Sequence, residues 1–236
     1  MRSDGAGSRP ADYGASPTSH VTRRLVFLVD VDDTLLDNDR IRDDIQARLV
    51  ADYGDEVASR YWTIQERRFV DLGYRDYLGA VQEWWEGDGG DPRLLAFSRY
   101  LLEYPFADRL YARALDVLAH LRTVGPTVVL TDGDAVFQPH KIERAGIARA
   151  VDGNVLVYVH KELELDDVER RYPAESYVLV DDKLRILTAA KGYWGERVTT
   201  VLPLQGQFAT DPEIAAAHPA ADVTIGGIAD LIELRL

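Results

Sequence analysis

Short apolar runs alternate with longer stretches of mixed apolar and polar residues along most of the chain. Six of these runs predict β-strands, at residues 24–30, 126–132, 154–160, 176–182, 197–202 and 221–225. Their apolar, β-branched composition is typical of strands buried on both faces of a parallel sheet. Helical patterns lie between the later strands, and Gly125 and Gly146 mark two helix ends. This alternation predicts a doubly wound α/β sheet.

The interval from about residue 38 to 104 breaks the alternation, because it contains no convincing strand pattern. Four helical patterns fill it, and Gly54, Gly73 and the GDGGDP run at 87–92 separate them. We interpret the interval as an all-helical cap domain at 38–104, inserted after the first strand and lying over the carboxyl ends of the sheet. The Rossmann-like core domain then comprises 23–37 and 105–236. Residues 1–22, rich in Gly, Ser, Pro and Ala, predict a disordered tail.

The composition of the chain excludes some classes of function. The 236 residues carry a formal net charge of −13, which argues against nucleic-acid binding because the phosphates would be repelled. A small phosphorylated ligand is compatible with this charge, since a bound metal can invert the local field. Without cysteine there is no disulfide, thiolate metal site or cysteine nucleophile, and a cytoplasmic location is the expectation. The apolar runs are far shorter than the ~20 residues of a membrane helix.

Residues 25–39 read LVFLVDVDDTLLDND, an apolar strand that runs directly into Asp30, with Asp32 and Asp33 close behind. Carboxylates at the end of a buried strand repel one another, so the cluster needs a compensating cation or raised pKa values. Ligands of open α/β sheets bind outside the carboxyl ends of the strands. Other predicted strands deliver further polar residues to the same edge: Thr131, Asp132, His160, Lys161, Asp181, Asp182 and Lys183.

Two of these carboxylates suit phosphoryl transfer through a covalent intermediate. Asp30 can act as the nucleophile and form an acyl phosphate, which splits one hard displacement into two easier ones. Asp32, two residues later, can protonate the leaving oxygen and then deprotonate the attacking water.

The remaining residues suit metal and phosphate binding. Oxygen ligands from Asp30 and Asp181, with Asp182 or a backbone carbonyl in addition, suit Mg²⁺. A dication among them would explain why the carboxylates cluster. Thr131 and Lys161 would hold the phosphoryl oxygens and stabilise charge in the transition state.

Four motifs in this order resemble those of the haloacid dehalogenase superfamily, whose members are mostly phosphatases. The resemblance covers about residues 24 to 230, with the cap in the position of the family's helical cap. The motifs are Asp-x-Asp-x-Thr at 30–34, an apolar strand ending in Thr131, a lysine at Lys161, and the acidic pair Asp181 and Asp182. The resemblance implies that Asp30 is the nucleophile and Asp32 the acid/base, and that the backbone carbonyl of Asp32 joins Asp30 and Asp181 as a metal ligand. Lys141 competes with Lys161 for the third motif, and the role of Asp182 stays open.

Several other interpretations of the acidic cluster compete with this one. A calcium loop fails, because Leu35 and Ile41 occupy the positions of its turn glycine and bidentate glutamate. The resemblance implies that dehalogenases keep no acid at the position of Asp32, and a leaving halide needs no proton. A receiver-type signalling module has no large helical insertion. A phosphate-binding or interaction module that lost turnover, a dehalogenase and a phosphotransferase stay as alternatives.

The sequence therefore predicts a Mg²⁺-dependent hydrolase of a small phosphorylated metabolite, acting on a phosphomonoester. Neither the phosphoester nor the oligomeric state follows from the sequence. Most cap aromatics are expected in the core of the cap. The neighbours Trp84 and Trp85 are the pair that we suspect of reaching the substrate, because adjacent helix positions cannot both face one core.

Overall fold

The structure, a computed structural model, describes residues 25–88 and 91–234. The predicted tail at 1–22 and the first residue of the predicted strand at 24–30 lie outside the described residues. Six strands form one sheet in the order β3-β2-β1-β4-β5-β6, and every neighbouring pair is parallel. The predicted parallel α/β sheet is thereby confirmed. The strands are β1 (Leu25–Val29), β2 (Thr127–Asp132), β3 (Val155–Tyr158), β4 (Ser176–Val180), β5 (Val198–Pro203) and β6 (Val223–Ile225).

Alternate residues of the strands enter two separate apolar cores, one on each face of the sheet. Phe27 and Val29 pack into one core, whereas Val26 and Leu28 pack into the other. Successive side chains of a strand point to opposite faces, so a strand with helices on both sides must be apolar throughout. The helices are α1 (Asn38–Tyr53), α2 (Asp55–Leu72), α3 (Tyr77–Asp88), α4 (Leu94–Glu103), α5 (Ala114–Val124), α6 (Phe137–Arg144), α7 (Ile147–Ala150), α8 (Leu165–Arg171), α9 (Leu184–Trp194), α10 (Gly206–Thr210) and α11 (Pro212–Ala216).

The interval between β1 and α5 is helical, as predicted. Helices α1 to α4 lie there, and its described residues contain no strand. Edge-to-face contacts among Tyr53, Tyr61, Trp84 and Phe97 join these helices, with ring centroids 5.0 to 6.2 Å apart. Such pairs add stability beyond the area that they bury. The division into core and cap domains at residues 38 and 104 stays a prediction.

The third strand is shorter than the sequence predicts. It ends at Tyr158, and the chain then turns into a short 3₁₀ helix at Lys161–Leu163. The backbone N–H of Lys161 donates to Asp132 Oδ1 at 2.8 Å, at the end of the neighbouring strand β2. The turn thereby carries the Lys161 side chain to the carboxyl edge of the sheet. None of the helices in the described part of the chain is long and apolar enough to cross a membrane.

Candidate active site

A tight turn after β1 presents the first two carboxylates. The N–H of Asp30 donates to the carbonyl of Val180 at 3.0 Å, which carries the β1–β4 pairing one residue past the strand. The chain then folds back, with the N–H groups of Leu35 and Leu36 donating to Val31 O at 2.8 and 2.9 Å.

Asp33 forms the corner of this turn. It adopts a left-handed conformation with a φ of 58°. Its Oδ1 accepts the backbone N–H groups of Asn38 and Asp39 at 2.9 and 3.2 Å, at the start of α1. The chain therefore passes from the sheet to the first helix through one short, hydrogen-bonded segment.

Three carboxylates and one ammonium form the buried centre of the site. Asp30, Asp181 and Asp182 are at most 1% exposed, and each offers an oxygen within 4.8 Å of the others. The Lys161 ammonium is fully buried and lies 2.5 Å from Asp30 Oδ1 and 2.6 Å from Asp181 Oδ2. The structure therefore brings Lys161, and not Lys141, to the predicted nucleophile.

The buried centre is short of positive charge. Burial raises the pKa of Asp30; the Lys161 ammonium opposes this effect, and Asp181 adds to it. Burial likewise raises the pKa of Asp182 well above its usual range, against the attraction of Lys183. Within residues 25–88 and 91–234, Asp30 Oδ2 and both oxygens of Asp182 are buried without a hydrogen-bond partner.

These orphaned oxygens fit a hard divalent cation. Mg²⁺ prefers carboxylate oxygens and carries the two positive charges that the cluster lacks. Buried charges ordinarily need an ion or hydrogen-bonding partner, so the arrangement is costly without one. Asp30, Asp181 and Asp182 are the residues that could hold the ion. Asp182, whose role the sequence left open, therefore belongs to the same cluster.

Asp32 lies beside this centre, and both of its carboxylate oxygens are held from one helix. Lys141 Nζ donates to Oδ1 at 2.5 Å, and Gln138 Nε2 donates to Oδ2 at 3.0 Å. Burial acts to raise the pKa of Asp32, but the charge and hydrogen bond of Lys141 outweigh it, and the pKa lies below its usual range. Gln138 also donates to Thr131 Oγ1 at 2.9 Å, which links the acid to the second-motif hydroxyl.

Sequence reasoning missed Gln138 and left Lys141 without a defined partner. Both lie on α6 and are three residues apart, so their side chains share one helix face. This spacing, on the helix that follows Thr131, is the signal that could have indicated them. Lys183, expected only as a polar residue at the edge of the sheet, has an ammonium 5.4 Å from the ring centroid of Phe208.

A cavity of about 230 Å³ lies between the sheet edge and the helices of the interval after β1, α1 to α4, which we call the cap helices. Its core side includes Asp32, Gln138, Lys141 and Lys183, and its cap side includes Arg42, Phe69, Tyr74, Arg75 and Tyr77. Trp84 and Trp85 do not line it, so the hypothesis that this pair reaches the substrate is wrong. Trp84 is buried among Tyr53, Tyr61 and Phe97, whereas Trp85 is 48% exposed to solvent.

Solved structures similar to this chain share one fold. A haloacid dehalogenase-like hydrolase from Burkholderia xenovorans LB400 is 51% identical, with a TM-score of 0.86, over 90% of this chain and 96% of that protein. An L-2-haloacid dehalogenase from Xanthobacter autotrophicus with chloropropionic acid covalently bound is 16% identical, with a TM-score of 0.60, over 89% of this chain and 97% of that one.

A third similar structure is the HAD-hydrolase YfnB from Bacillus subtilis bound to magnesium. It is 17% identical, with a TM-score of 0.58, over 89% of this chain and 98% of that one. At this level of identity, it and the Xanthobacter enzyme show likeness of fold alone. No model of a protein family matches the chain, and neither does any protein with a curated function.

Proposed function

The chain belongs to the haloacid dehalogenase-like hydrolases, and from this premise we propose that it is a Mg²⁺-dependent phosphatase of small phosphomonoesters. One observation carries the proposal: a second carboxylate, Asp32, follows the nucleophile Asp30 and is held at the cavity by Lys141 and Gln138. A group in this position can move a proton to and from the reacting oxygen.

The first step uses Asp30 as the nucleophile. Its Oδ1 accepts from Lys161, and Oδ2 has no hydrogen-bond partner in the described residues. One oxygen of this carboxylate would attack phosphorus, and the other would remain for the metal ion. Attack forms the Asp30 acyl phosphate and breaks the bond to the leaving oxygen. Lys161 holds the carboxylate in place and, with the Thr131 hydroxyl, would stabilise charge on the phosphoryl oxygens. A Mg²⁺ ion held by Asp30, Asp181 and Asp182 would offset the negative charge of the phosphate and of the carboxylates.

Asp32 would act in both steps. Its lowered pKa keeps Asp32 ionised when no substrate is bound, which suits the second step. There Asp32 takes a proton from the water that attacks the acyl phosphate, and this attack breaks the bond to Asp30, releases inorganic phosphate and regenerates the Asp30 carboxylate. In the first step it must carry a proton to the leaving alkoxide. The arriving phosphate dianion favours that proton, because a like charge nearby raises the pKa of a carboxylate.

Dehalogenation is the alternative that the same fold raises. Displacement of a halide from carbon releases a weakly basic anion that needs no proton. The hydrogen bonds from Lys141 and Gln138 would then position Asp32 for no chemical purpose. These contacts therefore favour an ester whose leaving oxygen is basic.

The proposal is tested by release of nitrophenol from para-nitrophenyl phosphate, with Mg²⁺ and with EDTA, beside the Asp30→Asn variant. We expect turnover that needs both the metal and Asp30. Chloride release from 2-chloropropionate, measured in parallel, should stay at the level of the Asp30→Asn protein. Chloride release without phosphatase activity would contradict the proposal and establish the dehalogenase alternative.

A second assay tests the role of Asp32. The Asp32→Asn variant should lose far more activity toward an alkyl phosphate than toward para-nitrophenyl phosphate, because nitrophenolate leaves without a proton. Equal losses on the two esters would contradict the role of Asp32 as general acid.

A further inference from the structure

The cap side of the cavity presents groups that the proposed chemistry at Asp30 and Asp32 does not use. Arg42 lies on α1, Arg75 in the loop after α2, and Tyr77 at the start of α3. All three line the cavity of about 230 Å³. This volume is below the roughly 300–1,000 Å³ of sites for drug-sized ligands, so it suits a small substrate.

Tyr77 contributes a buried hydroxyl that lacks a partner. Its side chain is 2% exposed, and the hydroxyl makes no hydrogen bond within the described ranges. Burial raises the pKa of Tyr77 and the charge of Asp32 raises it further, although Arg75 opposes both effects. The hydroxyl therefore keeps its proton and is available as a neutral donor. A buried polar group that stays unpaired is costly, which favours a ligand atom at this point.

Arg42 contributes a guanidinium with unused donors. Its Nε is buried and has no hydrogen-bond partner in the described part of the chain. The Nη1 atom is 3.6 Å from Asp39 Oδ1, beyond hydrogen-bond length. The guanidinium lies 5.9 Å from the ring centroid of Trp62. Trp62 and Asp39 therefore position the guanidinium, but Asp39 offsets only part of its charge.

Arg75 is more buried than its acidic partner. Its side chain is 19% exposed, whereas that of Glu66 is 63% exposed, and the two are joined by one hydrogen bond of 3.1 Å from Nη1. The Arg75 guanidinium also lies 4.6 Å from the ring centroid of Phe69. Because a solvent-exposed ion pair is weak, Glu66 offsets only part of the Arg75 charge.

Besides Asp32, Asp39 and Glu66, two further carboxylates line the cavity, and both are engaged by backbone N–H groups. Asp33 Oδ1 accepts from the backbone N–H groups of Asn38 and Asp39. Asp132 Oδ1 accepts the backbone N–H of Lys161. The cap wall therefore offers donors, and Asp39 and Glu66, which line the same wall, offset the charges of its two arginines only in part.

We infer that the substrate carries, beside its phosphoryl group, a carboxylate that Arg42, Arg75 and Tyr77 bind. This inference rests on the proposed function. Each guanidinium is a planar fork of donors that matches the two oxygens of a carboxylate, and the hydroxyl adds a neutral donor. Since Asp39 and Glu66 each lie beside one arginine, the remaining positive charge suits a monoanion better than a second phosphate dianion.

Two esters that differ in one group test the inference. 3-Phosphoglycerate has a carboxylate where glycerol 3-phosphate has a neutral hydroxymethyl group. Each is titrated by calorimetry into the Asp30→Asn protein with Mg²⁺, because this variant can bind an ester without turning it over. We expect 3-phosphoglycerate to bind about ten- to hundredfold more tightly, the factor that hydrogen bonds to a charged group supply.

Variants of the arginines distinguish a direct contact with the substrate carboxylate from general electrostatic attraction. Arg42→Met and Arg75→Met, each in the Asp30→Asn background, should reduce the preference for 3-phosphoglycerate to about threefold or less, since each removes one fork of donors. Arg67→Met is the matched control. Arg67 belongs to the cap and pairs with Glu83, but its side chain is 59% exposed and does not line the cavity. This control should retain the full preference.

Equal affinity for the two esters, binding of neither, or a preference that Arg42→Met and Arg75→Met leave intact would overturn the inference. Failure of the proposed function would look different. The wild-type protein would then release no inorganic phosphate from either ester, while the binding preference and its dependence on the two arginines persisted.

Discussion

Replacing Lys161 by Met should strongly destabilise the protein when no divalent cation is present. The Lys161 ammonium is fully buried and contacts two carboxylates, Asp30 and Asp181, at 2.5 and 2.6 Å. Methionine fills a similar volume but supplies no charge and no donor. The three acids of the cluster would then be buried with no ammonium in contact with Asp30 or Asp181.

The size of the effect follows from the burial of the pair. Removing one partner of a buried ion pair costs about 3–5 kcal/mol, because the other charge is left uncompensated. In a protein of this size, 1 kcal/mol corresponds to about 2–4 °C in the melting temperature. The Lys161→Met protein should therefore melt about 6–20 °C below the wild type in EDTA.

The measurement is thermal unfolding by circular dichroism in EDTA at pH 8, with Lys191→Met as the matched control. Lys191 pairs with Asp222, but both side chains are more than a third exposed, and such a pair contributes about 0–1 kcal/mol. Adding Mg²⁺ should restore part of the stability of Lys161→Met, because a ligand that binds only the folded state stabilises it.

The loss of stability in Lys161→Met should grow as the pH rises. Burial raises the pKa values of Asp30 and Asp182, so the folded state takes up protons more readily than the unfolded chain. Acid should therefore narrow the difference between Lys161→Met and wild type, and pH 8 should show it at its widest. A melting temperature within about 2 °C of wild type at pH 8 in EDTA would refute the reasoning.

Three further changes give distinct expectations. Lys141→Met should move the acid limb of the pH–activity profile upward by about one to three pH units, because the ammonium that lowers the pKa of Asp32 is lost; an unmoved limb would contradict this. Gly206→Ala should cost about 1–3 kcal/mol, measured by urea unfolding, since its φ is +70° and a Cβ would lie 2.3 Å from the Asp33 side chain. Gly195→Ala, at a φ of +58° with open space, should cost less. Burial raises the pKa of Asp33 to about 7, so wild-type stability in EDTA should fall as the pH rises from about 4 to 7, and Asp33→Asn should reduce that fall by up to about 4 kcal/mol. An equal fall in the stability of the Asp33→Asn protein would show that other groups cause it.

The sheet and the helical interval could be predicted because both depend on local patterns. A strand buried on both faces must be apolar throughout, so β1 and β4 are visible in the sequence as LVFLV and SYVLV. The four helices between Asn38 and Glu103 follow four helical patterns separated by glycines. The predicted end of β3 was wrong by two residues. The chain turns after Tyr158, where the backbone N–H of Lys161 donates to Asp132, and the apolar pattern does not indicate this turn.

The candidate nucleophile could also be predicted from the sequence, since an apolar strand that runs into Asp30 and Asp32 has few structural explanations without a ligand. Which lysine contacts which of these two acids could not be predicted from the sequence. Lys161 lies 131 residues from Asp30, and Lys141 lies 109 residues from Asp32. Nothing local distinguishes the two lysines, and the sequence alone left both as candidates for one position.

Only the tertiary structure assigned each lysine to its acid. Parallel pairing of β2 with β1 and with β3 brings their carboxyl ends to one edge, where the turn after β3 carries Lys161 to Asp30. The helix after β2 carries Lys141 to Asp32. Arg42 and Arg75 reach the same cavity because the cap helices fold back over that edge. The amino-acid sequence thus determined which strands are buried and which acid ends the first one. Strand register and cap packing decided which charges meet, because those contacts join residues that are distant in the chain.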